Sequence, residues 1–182
     1  KWYGSNESYD SKFGSLSSAY EECRAECVGL YLSLDSEVLK IFGFSDPGEQ
    51  KNIIYANWLS MVQKGIESLK MYNPAVKKWL QAHSQARYVI TRVLLESAKE
   101  LVHIDQIESS KDDAKPDLLI SFTRDHELIQ SKGKKAIGDF LLKLQTYKSL
   151  GDSDSAIAMF DHYSAVSDDL EYPYLKFRDI SL

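Results

Sequence analysis

Three glutamates within residues 20–27 carry the strongest chemical signal in this chain, which reads Tyr-Glu-Glu-Cys-Arg-Ala-Glu-Cys there. Glu22 and Glu26 are four residues apart, so they share one face of a helix. Like charges at this spacing repel each other, and the repulsion grows when the carboxylates lose contact with water. A metal ion or neighbouring histidines would turn that cost into binding, whereas a plain solvated helix face is the alternative.

An apolar stripe runs beside this acidic face at spacings of three and four residues, and it comprises Tyr20, Cys23, Cys27, Leu30 and Leu34. The spacing predicts a helix over residues 15–33 whose acidic face borders the side that packs into the protein. Cys23 and Cys27 are predicted to be reduced core residues, since a disulfide between them would distort the helix. Reduced thiols favour a cytoplasmic location. Gly29 would let another backbone approach this helix.

A second candidate segment is residues 81–87, which read Gln-Ala-His-Ser-Gln-Ala-Arg. His83 falls at helical spacing among the apolar residues Val76, Trp79, Ala86, Ile90 and Val93. From the pattern alone, a histidine in that setting is a hydrogen-bonded core residue. Arg87 follows one turn later on the same face, where it fits either a carboxylate-binding role or a structural ion pair.

These segments together resemble the dipeptidyl peptidase III family of zinc metallopeptidases, and the similarity extends over nearly all 182 residues. Residues 21–26 match one of the family's two zinc motifs. Shorter matches lie at residues 8–13, 28–32, 41–44, 57–59, 81–87 and 177–179. The resemblance implies a mostly helical lobe of a two-lobed enzyme. It also implies a zinc-dependent exopeptidase that releases dipeptides from the N-termini of oligopeptides.

The resemblance also implies roles for the three glutamates. Glu22 corresponds to the third protein ligand of zinc, beside two histidines that the family carries elsewhere. Glu21 and Glu26 correspond to the glutamates that orient those histidines. Such a role is chemically sensible because a carboxylate that accepts the second ring N–H of a ligating histidine fixes its tautomer and raises its basicity.

Four further positions match residues that the family uses around the substrate. His83 corresponds to a histidine that stabilises the negative charge developing on the scissile carbonyl oxygen. Arg87 and Arg178 correspond to substrate-binding arginines, and Asp10 corresponds to an aspartate that lines the cleft. An ion pair with the neighbouring aspartate is the plainer explanation of Arg178.

The family's other zinc motif, His-Glu-x-x-Gly-His, does not occur in this sequence. The four histidines, His83, His103, His126 and His162, include no pair at the i, i+4 spacing of a helical zinc site. We therefore expect residues 1–182 to be one domain, the C-terminal part of the zinc-bearing lobe of a larger enzyme. We expect zinc in the full-length enzyme, no tightly bound zinc in this chain, negligible activity of the chain alone, and possible self-association through its exposed interface.

Composition excludes several other classes of function. The net charge of −5, with no basic block, argues against a nucleic-acid partner. No apolar run approaches 18 residues, so no membrane span is expected. A non-catalytic helical folding or interaction domain without metal remains the main alternative. An oxidoreductase has little support, because no Gly-rich dinucleotide motif is present.

The pattern of apolar residues and chain breakers predicts a mainly α fold with a small β element at residues 101–123. Helices are expected near 15–33, 35–43, 49–71, 74–99, 133–149 and 154–166. Two strands are expected at 101–104 and 118–122, joined by a loop from Ser109 to Pro116. Asn73 and Pro74 are expected to cap and open the helix that carries His83. The tail from residue 172 to 182 is expected to be extended.

Overall fold

The structure is a computed structural model that describes residues 3–108 and 116–182. The prediction of a mainly α fold is confirmed. The helices are α1 (Tyr9–Phe13), α2 (Ser17–Leu32), α3 (Ser36–Ile41), α4 (Pro47–Glu67), α5 (Ala82–Ser97), α6 (His126–Leu128), α7 (Lys134–Leu150), α8 (Ser153–Ser164) and α9 (Tyr174–Ile180). Short helical turns adjoin these helices: 3-10 turns at Gly14–Leu16 and Ser68–Met71, and a π-helical turn at Ile129–Gly133. Within the described ranges, no helix combines the length and apolar character that a membrane crossing requires.

Two small antiparallel hairpins complete the fold. Strands β1 (Tyr72–Asn73) and β2 (Lys78–Trp79) form the first, and β3 (Val102–Ile107) and β4 (Asp117–Phe122) form the second. The second confirms the β element predicted at 101–123. Residues 109–115 of the loop predicted between its strands lie outside the described residues.

Helix α5 is the centre of the core. It packs against α2, α4, α7 and α8. Its residues from Tyr88 to Leu95 are all buried, because it meets neighbours on every side. Trp58 from α4 and Tyr20 from α2 are fully buried around it, and the Tyr20 hydroxyl donates a hydrogen bond to the Leu144 carbonyl at 3.0 Å. The first turn of α5, where the candidate residue His83 lies, reaches solvent, as does its last residue, Ser97.

Helices α4 and α5 approach each other closely at Gly65. A Cβ atom placed on this glycine would come within 2.7 Å of the Arg87 carbonyl oxygen and of the Thr91 Cβ. Only a residue without a side chain permits this packing. The contact fixes the distance between α4 and the turn of α5 that carries Arg87.

The prediction that α5 begins at Asn73-Pro74 is wrong, because the helix begins at Ala82. The Asn73 side chain accepts a hydrogen bond from the Ala75 N–H at 3.0 Å and closes a turn instead of capping a helix. Lys77 then adopts a positive φ of 51°, which helical backbone excludes. Trp79 pairs with Tyr72 across the hairpin.

The tail after residue 172 was predicted to be extended, and this is also wrong, since Tyr174–Ile180 forms α9. Tyr174 and Phe177 are buried one turn apart on its inner face. The Arg92 guanidinium lies 4.9 Å from the centre of the Tyr174 ring. The spacing of two aromatic residues is too short to define a helical period, so packing against the Ser68–Met71 turn, α4 and β4 selects the helix.

Candidate functional site

Helices α2 and α5 bring four of the seven candidate residues together on one surface. The His83 Nδ1 atom lies 3.1 Å from Glu22 Oε2 and 4.0 Å from Glu26 Oε1. Arg87 donates its Nε–H to the same Glu26 oxygen at 2.9 Å. Two residues one turn apart on α2 thus face two residues one turn apart on α5.

This cluster is accessible to ligands. The His83 side chain is 48% exposed and that of Glu22 is 36% exposed, whereas the Glu26 carboxylate is more covered at 19%. His83 is therefore not the core histidine that the apolar stripe predicts. The stripe fails because Val76 and Trp79 belong to the hairpin before α5, and this leaves His83 in the first turn of the helix.

Glu21 faces away from the cluster. Its carboxylate binds the Arg24 guanidinium on the same helix, at 3.1 and 3.2 Å from Nε, and the Lys148 ammonium on α7. Arg24 first, and then Lys148, hold the pKa of Glu21 below its ordinary value. Through its ion pair with Lys148, Glu21 links α2 to α7. Its contact with a zinc-binding histidine stays a prediction.

Arg178 and Asp10 do not take part in this cluster. Arg178 on α9 donates its Nε–H to the Tyr72 carbonyl at 2.8 Å and an Nη1–H to Asp179 at 2.9 Å. Asp10 is exposed in the first turn of α1. Within residues 3–108 and 116–182, no hydrogen bond or ion pair joins either residue to Glu22, Glu26 or His83.

The two cysteines of α2 lie inside the core behind the acidic face. Both thiols are free and fully buried. Burial raises the pKa of the Cys23 thiol well above its usual value, so it stays protonated at neutral pH. A protonated, buried thiol is a poor metal ligand.

Glu22, Glu26 and His83 are the residues of this cluster whose side chains could be ligands of a metal ion. Across the described ranges, no group of three or more His, Cys, Asp or Glu side chains is arranged to hold a metal ion. Glu22 offers an accessible carboxylate, and Glu26 and His83 lie beside it. One carboxylate supplies one of the three protein ligands that a catalytic zinc site needs.

A cleft of about 300 Å³ opens next to the cluster, between α2, α4 and α5. It is lined by Glu26, Asn57, Ser60, Met61, Lys64 and Arg87. The α4 residues of this cleft belong to no motif that marks them as candidates in the sequence. Their signal is weak: Asn57, Ser60 and Lys64 recur at helical spacing, as on any polar helix face.

Gly29, near the C-terminal end of α2, was expected to allow another backbone to approach, but no such approach is seen there in the described part of the chain. Apart from its chain neighbours and the backbone of α2 itself, no described atom comes within 4 Å of a Cβ placed on Gly29. The close approach of backbone occurs at Gly65 on α4 instead.

Comparison with known proteins places this arrangement in a family. Peptidase family M49 matches residues 1–182. Proteins named dipeptidyl peptidase 3 match the whole chain at 48% identity in Nematostella vectensis and 45% in Homo sapiens, and 99% of it at 41% in Dictyostelium discoideum. The chain spans about a quarter of the length of these curated relatives, 24% in each case.

A solved structure supports the fold. The structure of DPP III from Caldithrix abyssi covers 94% of this chain, and the chain covers 26% of that one, with a TM-score of 0.57 and 20% identity. At this identity the likeness concerns the fold alone. The match along the whole chain and the identity to the curated relatives decide the assignment: the chain belongs to peptidase family M49.

Proposed function

We propose that this chain is part of a zinc-dependent exopeptidase that releases dipeptides from the N-termini of oligopeptides. Family membership and the names of the relatives support a peptidase. The observation that carries the proposal is the 3.1 Å contact between Glu22 and His83 on an exposed surface. In this contact an accessible carboxylate lies 3.1 Å from an imidazole nitrogen, which supports the proposal that one group binds metal and the other binds substrate.

Glu22 is the proposed zinc ligand of this chain, completed by two histidines from outside it. When bound, zinc would polarise the peptide carbonyl and activate water. Glu26, close to Glu22 and tied to Arg87, is placed to accept an N–H from a ligating histidine. Glu21 would serve in the same way only after exchanging its contacts with Arg24 and Lys148.

His83 is the proposed group that stabilises the oxyanion. The Glu22 carboxylate lies 3.1 Å from Nδ1 of this ring, and we propose that Nε2 faces the bound substrate. A ring nitrogen that carries a proton can donate a hydrogen bond to a substrate oxygen. Arg87 keeps its terminal N–H groups for the substrate, and Arg178 and Asp10 are proposed to contact more distant parts of the peptide.

The proposal also covers the cellular setting. Two buried, reduced thiols fit a cytoplasmic protein. The oligopeptide is the proposed substrate partner, and neither nucleic acid nor membrane is proposed.

The experiment uses the full-length protein that carries this chain, with Glu22→Ala, Glu26→Ala and His83→Phe variants. Zinc is measured by mass spectrometry after dialysis, and dipeptide release is measured on oligopeptides. Glu22→Ala should lose zinc and activity, because it removes the anionic ligand. Glu26→Ala should weaken zinc binding by about 10–100-fold. His83→Phe should keep zinc and lower kcat by about 10²–10³-fold.

These variants separate the two roles. If Glu22→Ala keeps its zinc and its rate, Glu22 is not a ligand and the proposal fails. If His83→Phe loses zinc instead of turnover, the oxyanion role of His83 fails on its own. A full-length protein with neither zinc nor dipeptide release would favour the non-catalytic helical domain.

A further inference from the structure

We propose that the cleft between α2, α4 and α5 is a specificity subsite that binds a carboxylate of the oligopeptide substrate, an inference that rests on the proposed function. The cleft has a volume of about 300 Å³. Its lining residues include two cations, Arg87 and Lys64, and one anion, Glu26. Its size suits a single amino-acid side chain, and its balance of charge favours an anionic one.

The cleft contains hydrogen-bond donors that the protein itself does not use. Arg87 engages Glu26 through Nε alone, and its two terminal nitrogens have no partner in the described parts of the chain. The Asn57 amide and the Ser60 hydroxyl, three residues apart on α4, also have none there. Terminal guanidinium N–H groups bind carboxylates in a bidentate geometry, which makes a carboxylate the best match to this set.

Lys64 is the residue most able to select for charge. Its ammonium lies 2.9 Å from the Glu67 carboxylate, and both side chains are about half exposed. An exposed pair of this kind contributes little free energy, so a substrate carboxylate can compete for the ammonium. The negative charge of Glu26 repels an anionic ligand. The Arg87 guanidinium, whose Nε lies 2.9 Å from Glu26 Oε1, offsets this charge.

The cleft adjoins the candidate site and has rigid walls. Arg87 and Glu26 belong to both, and Arg87 follows His83 by one helical turn, about 5.4 Å. An extended peptide advances about 3.3 Å per residue, so the bound carboxylate lies about one or two residues from the group that His83 contacts. The close approach at Gly65 holds α4 against α5.

The test uses the full-length protein and hexapeptides of alanine and serine. Each peptide carries one Glu, or Gln in its place, at position 3, 4, 5 or 6 and ends in an amide. A Gln peptide with a free C-terminus separates a terminal carboxylate from a side-chain one. For the wild-type protein and the Lys64→Gln variant, we measure kcat/KM for dipeptide release and, by calorimetry, the Kd of each peptide. The control is Lys51→Gln, the same charge change at an exposed residue of α4 about 20 Å away.

The wild-type protein should prefer one carboxylate-bearing peptide to its uncharged counterpart by about fivefold in kcat/KM and in Kd. Lys64→Gln should reduce this preference to about twofold or less and leave the uncharged peptides unchanged. Lys51→Gln should keep the full preference. Turnover without any carboxylate preference, or a preference that Lys64→Gln retains, overturns the subsite alone. Carboxylate-dependent binding without dipeptide release supports the subsite and refutes the proposed function. A protein that shows neither carboxylate-dependent binding nor dipeptide release refutes both the subsite and the proposed function.

Discussion

Replacing Gly65 with alanine should destabilise the chain, although the same change usually stabilises a helix. Alanine has the higher helix propensity by about 1 kcal/mol. At Gly65, however, the new Cβ would lie 2.7 Å from both the Arg87 carbonyl oxygen and the Thr91 Cβ, where ordinary contact begins at 3.4 Å. Neither atom is the end of a flexible side chain, so the two helices must separate by about 0.7 Å.

The size of the effect follows from these two opposing contributions. Inserting a methyl group into a packed interface costs about 1–3 kcal/mol, and a clash with backbone belongs at the upper end of that range. After the gain in helix propensity, the free energy of unfolding should fall by about 2 kcal/mol. For a chain of this length, Tm should fall by about 4–8 °C.

Gly29→Ala is the matched control, because it makes the same change in α2. No described atom outside the backbone of α2 and the two neighbouring residues lies within 4 Å of the added Cβ there, so this variant should gain up to about 1 kcal/mol. The assay is urea unfolding of the 182-residue chain, followed by circular dichroism and tryptophan fluorescence. If Gly65→Ala is as stable as Gly29→Ala, the close approach of α4 and α5 is refuted.

Two further predictions concern pH and association. Arg24 and Lys148 lower the pKa of Glu21 below 4.5, so the stability that they provide is present above pH 4.5 and is lost as the pH falls through the folded-state pKa. The urea midpoint of the wild-type chain should therefore fall more steeply below pH 4.5 than that of Glu21→Gln, and parallel curves would contradict this. Ile41 and Phe42 are 82% and 72% exposed at the end of α3, so the chain should self-associate at high concentration and the double serine variant should associate less. Light scattering after size exclusion measures both chains, and a wild-type monomer at all concentrations would refute the prediction.

The local sequence predicted most of the helices, because their apolar periods are long and their boundaries are well marked. Asp35 accepts hydrogen bonds from the Glu37 and Val38 N–H groups and caps α3. Gly151 adopts a left-handed φ of 63° and ends α7. Signals of this kind act within four residues and do not depend on distant parts of the chain.

Local signals did not predict the structure where the same residues are compatible with two different local conformations. Asn73-Pro74 can open a helix or form a turn, and the choice is made by Trp79. Its ring lies 5.4 Å from that of Tyr72 and 4.9 Å from that of Tyr88, and its indole donates to the Ser164 carbonyl at 3.0 Å. Ser164 is 85 residues away from Trp79, and Tyr88 lies on the next helix, so no local pattern reveals these contacts.

The same division applies to the candidate site. The sequence by itself determined that Glu22 and Glu26 share a helix face and that His83 and Arg87 are one turn apart, because helical spacing fixes both relations. Only the tertiary structure decided that the two pairs meet, that Glu21 points to α7, and that α4 adds a cleft beside them. Helix packing sets which faces meet, and it depends on close contacts such as Gly65 against Thr91, whose partners lie on different helices.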